Sequence, residues 1–425
     1  MVGSLQNTRL LTVQSVGIFG LLALLSLTAA LACSPPPFVA ARQPVRRALD
    51  GSAEPTVTKP TLENFALEHI ATFTTYSNTP SPAFDSEGKW LVFHSNTDQH
   101  STDYYTQRPA EVHAVDLVAM EESVVYEFPS PSSTPAVNTD YGYGYDPYYG
   151  EGGYGYGYGY NAGYDTTYHP VMLADGTLLV SQSMISSAPV TSRVGRGSST
   201  AQTFGPAGGQ PSVSPTGERI LLQTLNEVIE VDLQGNTKQS YPGFFGVWAP
   251  DGKSFLGHLT PYVTSEFYGS YPDWPEGIEP TYGNAGGLYL AKDGELKQVT
   301  TSGGRPTWHP SGHSFVYERL AGQLWGGYEA PPTALAEVNL DNGLEHIVAE
   351  TGSQPVYHPS GALLLYSTPQ GLELTDFKSQ RPLQIDGQEP AFSPRGDLLV
   401  VTTQSKLKHH GLVRDVVLYA VKTAK

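Results

Sequence analysis

Cysteine is nearly absent from this sequence, since Cys33 is the only one among 425 residues. A lone cysteine cannot form a disulfide within the chain, so the fold has to be held by buried apolar side chains. Charged residues are also scarce, at 15%, whereas the chain has 45 glycines and 34 prolines. Such a composition is typical of many turns that join short strands.

Positive charge is the scarcer sign. Lysine and arginine together number 24 against 41 aspartates and glutamates, which gives a formal net charge of −17. This excess of negative charge opposes binding to nucleic acid or to an anionic lipid surface. We therefore expect no nucleic-acid partner.

Recognisable catalytic and cofactor motifs are missing as well. The sequence contains no Gly-x-Ser-x-Gly elbow, no phosphate-binding loop and no His-Glu-x-x-His pair. The hydrolase half that accompanies some repeat domains in prolyl oligopeptidases is also not expected here. We therefore predict a protein that is not an enzyme and that carries no cofactor and no metal.

What the chain does contain is one short phrase, repeated seven times between Ser81 and Val401. It consists of a proline, an apolar or aromatic residue, a turn that ends in glycine, and an apolar run. The copies begin at Pro82, Pro170, Pro211, Gly246, Pro306, Pro355 and Pro390. In the turn Ser393-Pro394-Arg395-Gly396, for example, the proline presets φ and the glycine accepts a positive φ, so the phrase predicts a β-hairpin. Its recurring aromatic residues are expected between the repeats as core: Phe84, Trp248, Trp308, Tyr357 and Phe392.

The repeats together predict an all-β fold. Two weaker strands follow most hairpins, and four antiparallel strands are the content of a propeller blade. With residues 141–164 and 261–286 set aside, residues 65–425 give about 44 residues per unit. We therefore predict a seven-bladed β-propeller of four-stranded antiparallel blades, in preference to six or eight blades. The last unit lacks a fourth strand, and residues 67–73 nearly repeat residues 344–350, so an N-terminal strand is expected to close the ring.

On these repeated phrases the chain resembles the WD-like propellers of the TolB type, whose units centre on a Ser-Pro-Asp-Gly turn. The resemblance covers about residues 65–425 and implies the propeller fold. It implies no particular activity. The chain departs from TolB in having seven units instead of six and in lacking the mixed α/β domain that precedes the TolB propeller.

The start of the chain predicts export. Arg9 is the only charged side chain in the first ten residues, and residues 16–32 are almost entirely apolar, so residues 1–32 have the layout of a signal peptide. An alternative is a membrane-spanning anchor with an incidental cysteine. Ala30-Leu31-Ala32-Cys33 resembles the bacterial lipoprotein processing box, which implies a lipidated Cys33.

Within that resemblance, Ser34 favours the outer membrane. Residues 33–64, rich in proline, alanine and threonine, are expected to be a flexible tether. The expected location is the periplasmic side of a bacterial membrane, with the lipid anchor as the protein's one contact with lipid.

Two insertions interrupt the repeats. The Tyr/Gly-rich residues 141–164 fall between blades one and two, and the aromatic, acidic residues 261–286 fall between the second and third strands of blade four. Propeller connections of these two kinds emerge on the same face, as do residues 322–332. Tyrosine and glycine are the mixture that antibody binding loops use, so we expect a binding face for an envelope protein, peptide or glycan. Its candidate residues are Tyr148, Tyr149, Tyr268, Tyr271, Trp274, Tyr282, Trp325 and Tyr328. The alternative is that the Tyr/Gly tract is a low-complexity segment with no ligand.

Histidines are the remaining candidates for chemistry. His169, His309 and His358 are interpreted as turn residues that bond backbone amides, on three different blades and too far apart to share one ion. A denser group in blade one comprises His94, Asp98, His100, Asp103 and His113.

The sequence thus favours a non-catalytic binding scaffold of the cell envelope. One alternative is a metal-dependent enzyme acting on an oligosaccharide, like the oligogalacturonate lyases, with its ion on the channel axis. The other alternative is a structural envelope protein that self-associates through the Tyr/Gly tract.

Overall fold

Short antiparallel strands account for all the regular secondary structure in the described part of the chain. A computed structural model describes residues 59–77, 79–96, 110–128, 167–184, 187–198, 200–224, 227–258, 287–320, 333–404 and 413–423. These residues all belong to one unit, Val45–Lys425. The predicted signal peptide 1–32, Cys33 and the insertions 141–164 and 261–286 lie outside them. No helix in the described ranges has the length and apolar character needed to cross a membrane.

Within these ranges the chain forms seven sheets of four strands. The N-terminal strand is β1 (Phe65–Thr74). Blade 1 contains β2 (Ala83–Phe84), β3 (Trp90–Asn96), β4 (Ala110–Asp116) and β5 (Glu121–Glu127). Blade 2 contains β6 (Thr167–Met172), β7 (Leu178–Met184), β8 (Ser187–Val194) and β9 (Ala201–Thr203). Blade 3 contains β10 (Gly209–Val213), β11 (Arg219–Gln223), β12 (Glu227–Asp232) and β13 (Thr237–Pro242).

The remaining blades follow the same plan. Blade 4 contains β14 (Phe244–Trp248), β15 (Ser254–His258), β16 (Leu288–Lys292) and β17 (Glu295–Gln298). Blade 5 contains β18 (Gly304–Trp308), β19 (Ser314–Leu320), β20 (Thr333–Asn339) and β21 (Glu345–Ala349). Blade 6 contains β22 (Ser353–Tyr357), β23 (Leu364–Thr368), β24 (Gly371–Thr375) and β25 (Gln380–Pro382). Blade 7 contains β26 (Gln388–Phe392), β27 (Leu398–Gln404) and β28 (Arg414–Thr423).

The N-terminal strand completes the last blade, as predicted. In blade 7 the strand order is β1-β28-β27-β26, so β1 occupies the outermost position. Its ladder with β28 runs from Phe65 opposite Thr423 to Thr74 opposite Asp415, with one bulge between His69 and Ala71. This pairing joins the two ends of the repeated region and leaves no blade with three strands.

Seven apolar clusters, one at each junction between neighbouring blades, hold the ring together. Six join consecutive blades from 1 to 7. The seventh packs Leu91 and Phe93 of blade 1 against blade 7, which closes the ring; its blade 7 members include Phe73, Leu398, Val400 and Leu418. Because each sheet is buried on both faces by its neighbours, its second strand carries a continuous apolar run toward the turn face. The fold is a seven-bladed β-propeller.

The recurring aromatic residues lie at these junctions. Trp248, Trp308 and Tyr357 are buried, and Phe84 and Phe392 pack against the clusters from partly buried positions. The indole Nε1 of Trp308 donates to the carbonyl of Val247 at 3.0 Å, and that of Trp248 donates to the carbonyl of Ser212 at 3.0 Å. Each tryptophan therefore joins its blade to the preceding one by apolar contact and by a hydrogen bond.

The ring has two faces that differ in how the chain crosses them. On one face, here called the turn face, the phrase's glycine turns join the first and second strands of each blade. All seven glycines have positive φ, from 64° to 81°: Gly88, Gly176, Gly217, Gly252, Gly312, Gly361 and Gly396. The opposite face, here called the mouth face, is where the innermost strands begin and the second strands end.

Candidate binding site at the mouth face

The predicted aromatic ligand residues lie outside the described ranges, as does Cys33. These ligand residues are Tyr148, Tyr149, Tyr268, Tyr271, Trp274, Tyr282, Trp325 and Tyr328. The strands that border their segments are described. His258 at the end of β15 pairs with Leu288 at the start of β16, and Leu320 pairs with Thr333 in blade 5. Both pairs lie at the mouth face, as do the end of β5 and the start of β6.

A ring of seven residues begins the innermost strands on this face. Each member directly precedes the first residue of a phrase, and the set, called the mouth ring below, is Ser81, His169, Gln210, Phe245, Arg305, Gln354 and Glu389. All seven are half-buried. Six of them, all except His169, have φ between 45° and 52°. A non-glycine residue at positive φ costs roughly 1–2 kcal/mol, so the ring holds strained backbone around the channel mouth.

The strain accompanies a repeated β-bulge. In blades 3 to 7 the pairing of the innermost strand with its neighbour shifts register across the mouth-ring residue. A bulge of this kind bends the strand and redirects a side chain. The bulge places the mouth-ring backbone N–H groups beside the preceding blade.

A glycine two residues before the ring residue makes this approach possible. It is present in the same five blades, at Gly208, Gly243, Gly303, Gly352 and Gly387. A Cβ on Gly303 would overlap the carbonyl oxygen of Glu318 and lie 2.6 Å from Cε2 of Tyr317. Sequence reasoning missed both the ring and this glycine, although a glycine three residues before the phrase recurs visibly in the printed sequence.

Polar side chains of the preceding blade accept the mouth-ring N–H groups. Ser181 Oγ accepts from the N–H of Gln210 at 2.9 Å, and Gln223 Oε1 accepts from the N–H of Phe245. Glu318 Oε1 accepts from the N–H of Gln354 at 2.7 Å. These acceptors belong to second strands and are buried, and their hydrogen bonds explain why polar residues occur in the core there.

Blades 6 and 7 continue the pattern with a side chain of the ring itself. Gln354 Oε1 accepts from the N–H of Glu389 at 2.8 Å and from Ser367 Oγ at 3.0 Å. Glu389 in turn accepts from Thr402 Oγ1 at 3.3 Å. Gln354 therefore acts as a structural member of the ring as well as a surface residue.

The charged members of the mouth ring belong to blades 5 and 7, and each has a partner of opposite charge in its own blade. Arg305 Nη1 lies 3.7 Å from Glu318 Oε1, and Arg414 Nη1 lies 3.8 Å from Glu389 Oε1. The side chains of Arg305, Glu389 and Arg414 are 33%, 41% and 32% exposed, whereas that of Glu318 is 4% exposed. Burial raises the pKa of Glu318, while Arg305 and the Gln354 N–H act in the opposite direction. The exposed members can pair with both charges of a ligand.

Blade 4 supplies the less polar part of the mouth. The rings of Phe245 and His258 meet edge to face with centroids 5.5 Å apart. Burial, together with the positive charge of Arg305, lowers the pKa of His258 to about 4. His258 is therefore neutral at pH 7, and this sector presents an aromatic pair instead of a cation.

The prediction for the three turn histidines is confirmed for two and wrong for one. His309 Nδ1 and His358 Nδ1 each accept from a turn backbone N–H, of Ser311 and Ser360, at 3.1 Å. His169 instead pairs with Ser181 at the mouth end of β6. His169 directly precedes the first proline of its phrase, whereas His309 and His358 come three residues after the first proline of theirs, so the three positions are not equivalent. Burial lowers the pKa of His169 to about 4.

The blade 1 histidines do not converge. Asp98, His100 and Asp103 lie outside the described residues. His94 pairs with Val112 and His113 pairs with Phe93 in adjacent register positions, so the two imidazoles point to opposite faces of the sheet. His113 lies between Glu111 and Glu122 at 3.1 and 3.0 Å. Across the described ranges, no group of three or more His, Cys, Asp or Glu residues could hold a metal ion.

One pair near the ring closure has atoms suited to nucleophilic chemistry. Ser77 Oγ lies 3.0 Å from His94 Nδ1, but Ser77 is only 1% exposed and His94 only 2%. The same oxygen accepts from the N–H of Thr79 at 3.1 Å. A hydroxyl that is buried and engaged with the local backbone stabilises the connection from β1 to β2 and cannot reach a substrate.

No family model and no curated protein matches this chain. Among solved structures it is similar to an oligogalacturonate lyase in complex with manganese, at 10% identity over 85% of this chain and 96% of that chain, with a TM-score of 0.48. It is also similar to a putative TolB from Agrobacterium tumefaciens, at 16% identity over 48% of this chain and 73% of that chain, with a TM-score of 0.34. A third similar structure is the β-propeller domain of the Trilobed protease from Pyrococcus furiosus, at 8% identity over 78% and 91%, with a TM-score of 0.44. These similarities, including the one to a TolB-like protein, concern the propeller fold alone. They do not indicate an activity.

Proposed function

We propose that this chain is a non-catalytic binding protein of the bacterial cell envelope, exported and anchored through a lipidated Cys33. It binds an envelope protein, peptide or glycan at the mouth face of the propeller. The main support for the proposal is that the two faces have different residue types at their positive-φ positions. The turn face meets its need for positive φ with glycine, whereas the mouth face meets the same need with side chains.

The strain of the mouth ring is the first support. Glycine adopts such backbone angles without steric cost, as it does in all seven turns of the turn face. Instead, Ser81, Gln210 and Phe245 and three further residues keep their side chains at positive φ. Strained backbone of this kind clusters where a protein binds ligands.

The chemistry of the mouth is the second support. Arg305 and Arg414 offer donors, Glu389 offers acceptors, and the Phe245–His258 pair offers an aromatic surface. Partly exposed charges beside aromatic rings are typical of surfaces that bind peptides and glycans. The aromatic, acidic segments predicted as ligand-binding loops adjoin strands that end on this same face.

The path of the chain is the third support. Strand β1 begins at the turn face, where Phe65 pairs with Thr423 and the N–H of Val421 donates to the carbonyl of Asp397 at 2.8 Å. A tether of residues 33–64 would therefore join the ring on the side opposite the mouth. A ligand in the periplasm could approach the mouth without passing the point of attachment.

A capture experiment with matched charge variants tests the proposal. Mature protein with a C-terminal tag is immobilised and incubated with a detergent extract of the cell envelope. The mouth variant is Glu389→Gln and the control is Arg395→Gln, an exposed turn-face residue in an ion pair with Asp397. Deletion of residues 261–286 forms a third arm. We expect the mouth variant and the deletion to lower recovery of the same ligand at least about fivefold, which corresponds to ~1 kcal/mol of binding.

The control separates binding from folding. Arg395→Gln removes one charge from the same blade and should leave recovery unchanged. Equal losses in Glu389→Gln and Arg395→Gln, or no loss in any arm, would contradict a binding site at the mouth face. Melting temperatures of all three variants confirm that the folded protein is being compared.

A further inference from the structure

Two histidines on the turn face connect three consecutive blades. His309 of blade 5 places its Nε2 3.2 Å from the carbonyl oxygen of Gly361 in blade 6. His358 of blade 6 places its Nε2 3.0 Å from the carbonyl oxygen of Gly396 in blade 7. The two contacts repeat the same geometry one blade apart.

The hydrogen bonds of each imidazole require the neutral form. A carbonyl oxygen can only accept, so Nε2 carries the proton and donates it. The other nitrogen, Nδ1, accepts a backbone N–H at 3.1 Å, from Ser311 in blade 5 and from Ser360 in blade 6. A second proton on Nδ1 would face that N–H directly, and the hydroxyl of Ser311 or Ser360, 2.7 or 2.9 Å from Nδ1, would have to change from donor to acceptor. Protonation therefore breaks the turn contact that holds the ring in place.

The neighbouring blade is shaped to receive each imidazole. A Cβ on Gly361 would lie 2.6 Å from His309 Nε2, and a Cβ on Gly396 would lie 2.5 Å from His358 Nε2. Each ring also meets an aromatic residue edge to face, Tyr357 at 5.1 Å for His309 and Phe392 at 5.1 Å for His358. Each imidazole therefore packs closely against both the glycine and the aromatic residue of the next blade.

Blades 3 and 7 show that the turn does not need histidine. They carry Ser214 and Ser393 at the same position. There the hydroxyl accepts from the N–H of Arg219 or of Leu398, each at 3.1 Å, and bonds within its own blade. Serine thus stabilises the turn without reaching the next blade. The histidine clamps are an addition confined to the 5–6 and 6–7 junctions among the described turns.

Charged groups near the clamps are paired with one another. Arg395 and Asp397 flank Gly396 and lie 3.4 Å apart. On the blade 5 turn, His313 faces Asp341 at 3.2 Å, and both are exposed. The groups in direct contact with His309 and His358 are otherwise uncharged: serine, glycine and aromatic residues. No carboxylate among these contacts stabilises an imidazolium.

We infer that His309 and His358 clamp blades 5, 6 and 7 together and that acid releases this clamp at His358. Burial lowers the pKa of His358 below its ordinary value of 6.5, with the Gly396 carbonyl opposing the shift. As the pH falls through about 6.5, His358 takes up a proton more readily in the unfolded chain than in the folded propeller. The stability that neutral His358 contributes is therefore fully present above that pH and is lost below it.

The test compares the pH dependence of melting in the full-length mature protein. The double variant His309→Ser/His358→Ser adopts the residue that blades 3 and 7 use, and His313→Ser removes an exposed histidine from the same turn as a control. Melting temperatures are measured at about pH 8 and about pH 5. We expect the wild type and His313→Ser to lose roughly 2–4 °C more than the double variant over this interval. At about pH 8 the double variant should melt lower than the wild type.

The inference would be overturned if the wild type and the double variant lost the same number of degrees in melting temperature between the two pH values. It would also be overturned if His313→Ser reduced this loss as much as the double variant does. If the double variant does not fold, His358→Ser alone should show the same reduction in pH dependence, and an unchanged pH dependence in that variant also overturns the inference. Ligand capture plays no part in this measurement, so its outcome is independent of the proposed function.

Discussion

The two faces of this propeller solve the same backbone problem differently. Both require a residue with positive φ in nearly every blade. The turn face places glycine there seven times, and the mouth face places serine, glutamine, phenylalanine, arginine or glutamate there six times. On the turn face the requirement ends with the hairpin. On the mouth face the same angle brings a side chain to the rim of the channel and a backbone N–H to the preceding blade.

The difference teaches how a repeated fold separates stability from recognition. The turn face has one solution in all blades, because a hairpin needs only a permissive residue and a short turn. On the mouth face the residue type varies from blade to blade, while the positive φ recurs in six of the seven blades. Four predictions test this division, beginning with the largest effect.

Glycine-to-alanine substitution in two equivalent turns should give unequal losses. Both glycines have positive φ, 74° at Gly396 and 72° at Gly217, but a Cβ meets nothing within 4 Å at Gly217 and lies 2.5 Å from His358 Nε2 at Gly396. We expect Gly217→Ala to lower the free energy of unfolding by about 1 kcal/mol and Gly396→Ala by about 3 kcal/mol. Denaturant titration measures both. Equal losses would mean that His358 moves away freely, and ligand capture should be unchanged in each.

Truncation of Gln354 should be nearly as costly, although it lies on the mouth face. Gln354→Ala leaves the N–H of Glu389 and the hydroxyl of Ser367 without their acceptor. We expect a loss of about 2 kcal/mol in the free energy of unfolding. Gln354→Glu retains an acceptor oxygen and is the control for the lost bonds. A loss below about 0.5 kcal/mol in the alanine variant would remove Gln354 from the structural part of the ring.

Neutralising Glu318 should stabilise the ring at neutral pH. Burial raises the pKa of Glu318, so the folded state disfavours the charged form relative to the unfolded chain. Glu318→Gln keeps an acceptor for the N–H of Gln354 and should raise the free energy of unfolding by on the order of 1 kcal/mol at pH 7. The gain should shrink as the pH falls toward about 4, where the wild-type carboxyl becomes protonated in both states. A destabilised variant at pH 7 would show that the Arg305 pair outweighs burial.

Replacing a mouth-ring residue by glycine should have the smallest effect on stability. Ser81 has φ of 45°, and its hydroxyl makes one long contact, 3.4 Å, to the carbonyl of Thr79. Glycine relieves the strain but loosens the unfolded chain, and the two terms nearly cancel. We expect Ser81→Gly to change the free energy of unfolding by less than about 0.5 kcal/mol. Thermal melting would contradict this if the variant lost as much stability as Gly396→Ala.

Most of the fold could be predicted from the sequence because it depends on local, repeated chemistry. The seven phrases predicted seven hairpins, and their spacing predicted the blades. The missing fourth strand of the last unit pointed to residues 67–73, and the structure confirms β1 (Phe65–Thr74) in that position. Each of these inferences needed only turn residues, alternation of apolar runs and a count.

The mouth could not be predicted in the same way. The residue types at positions Gln210 and Arg305 do not indicate a positive φ, because neither glutamine nor arginine favours that region. The acceptors for these N–H groups, Ser181 and Glu318, come from the preceding blade. His169 shows the same limit, since a histidine beside a proline was read as a turn residue. The predicted aromatic ligand residues stay a prediction.

One repeated tetrapeptide shows what the sequence determined and what the tertiary structure determined. Leu-Glu-His-Ile occurs at residues 67–70 and again at residues 344–347, and in both places the sequence predicted an outermost strand. In β1 the residues Leu67 and Ile70 pack into the clusters that join blade 7 to its neighbours. In blade 5, Leu344 is 68% exposed and Ile347 is 38% exposed. The sequence by itself determined strand type and place in the blade, because these follow from local pattern. Only the tertiary structure decided burial, because burial depends on which neighbouring blade covers the strand.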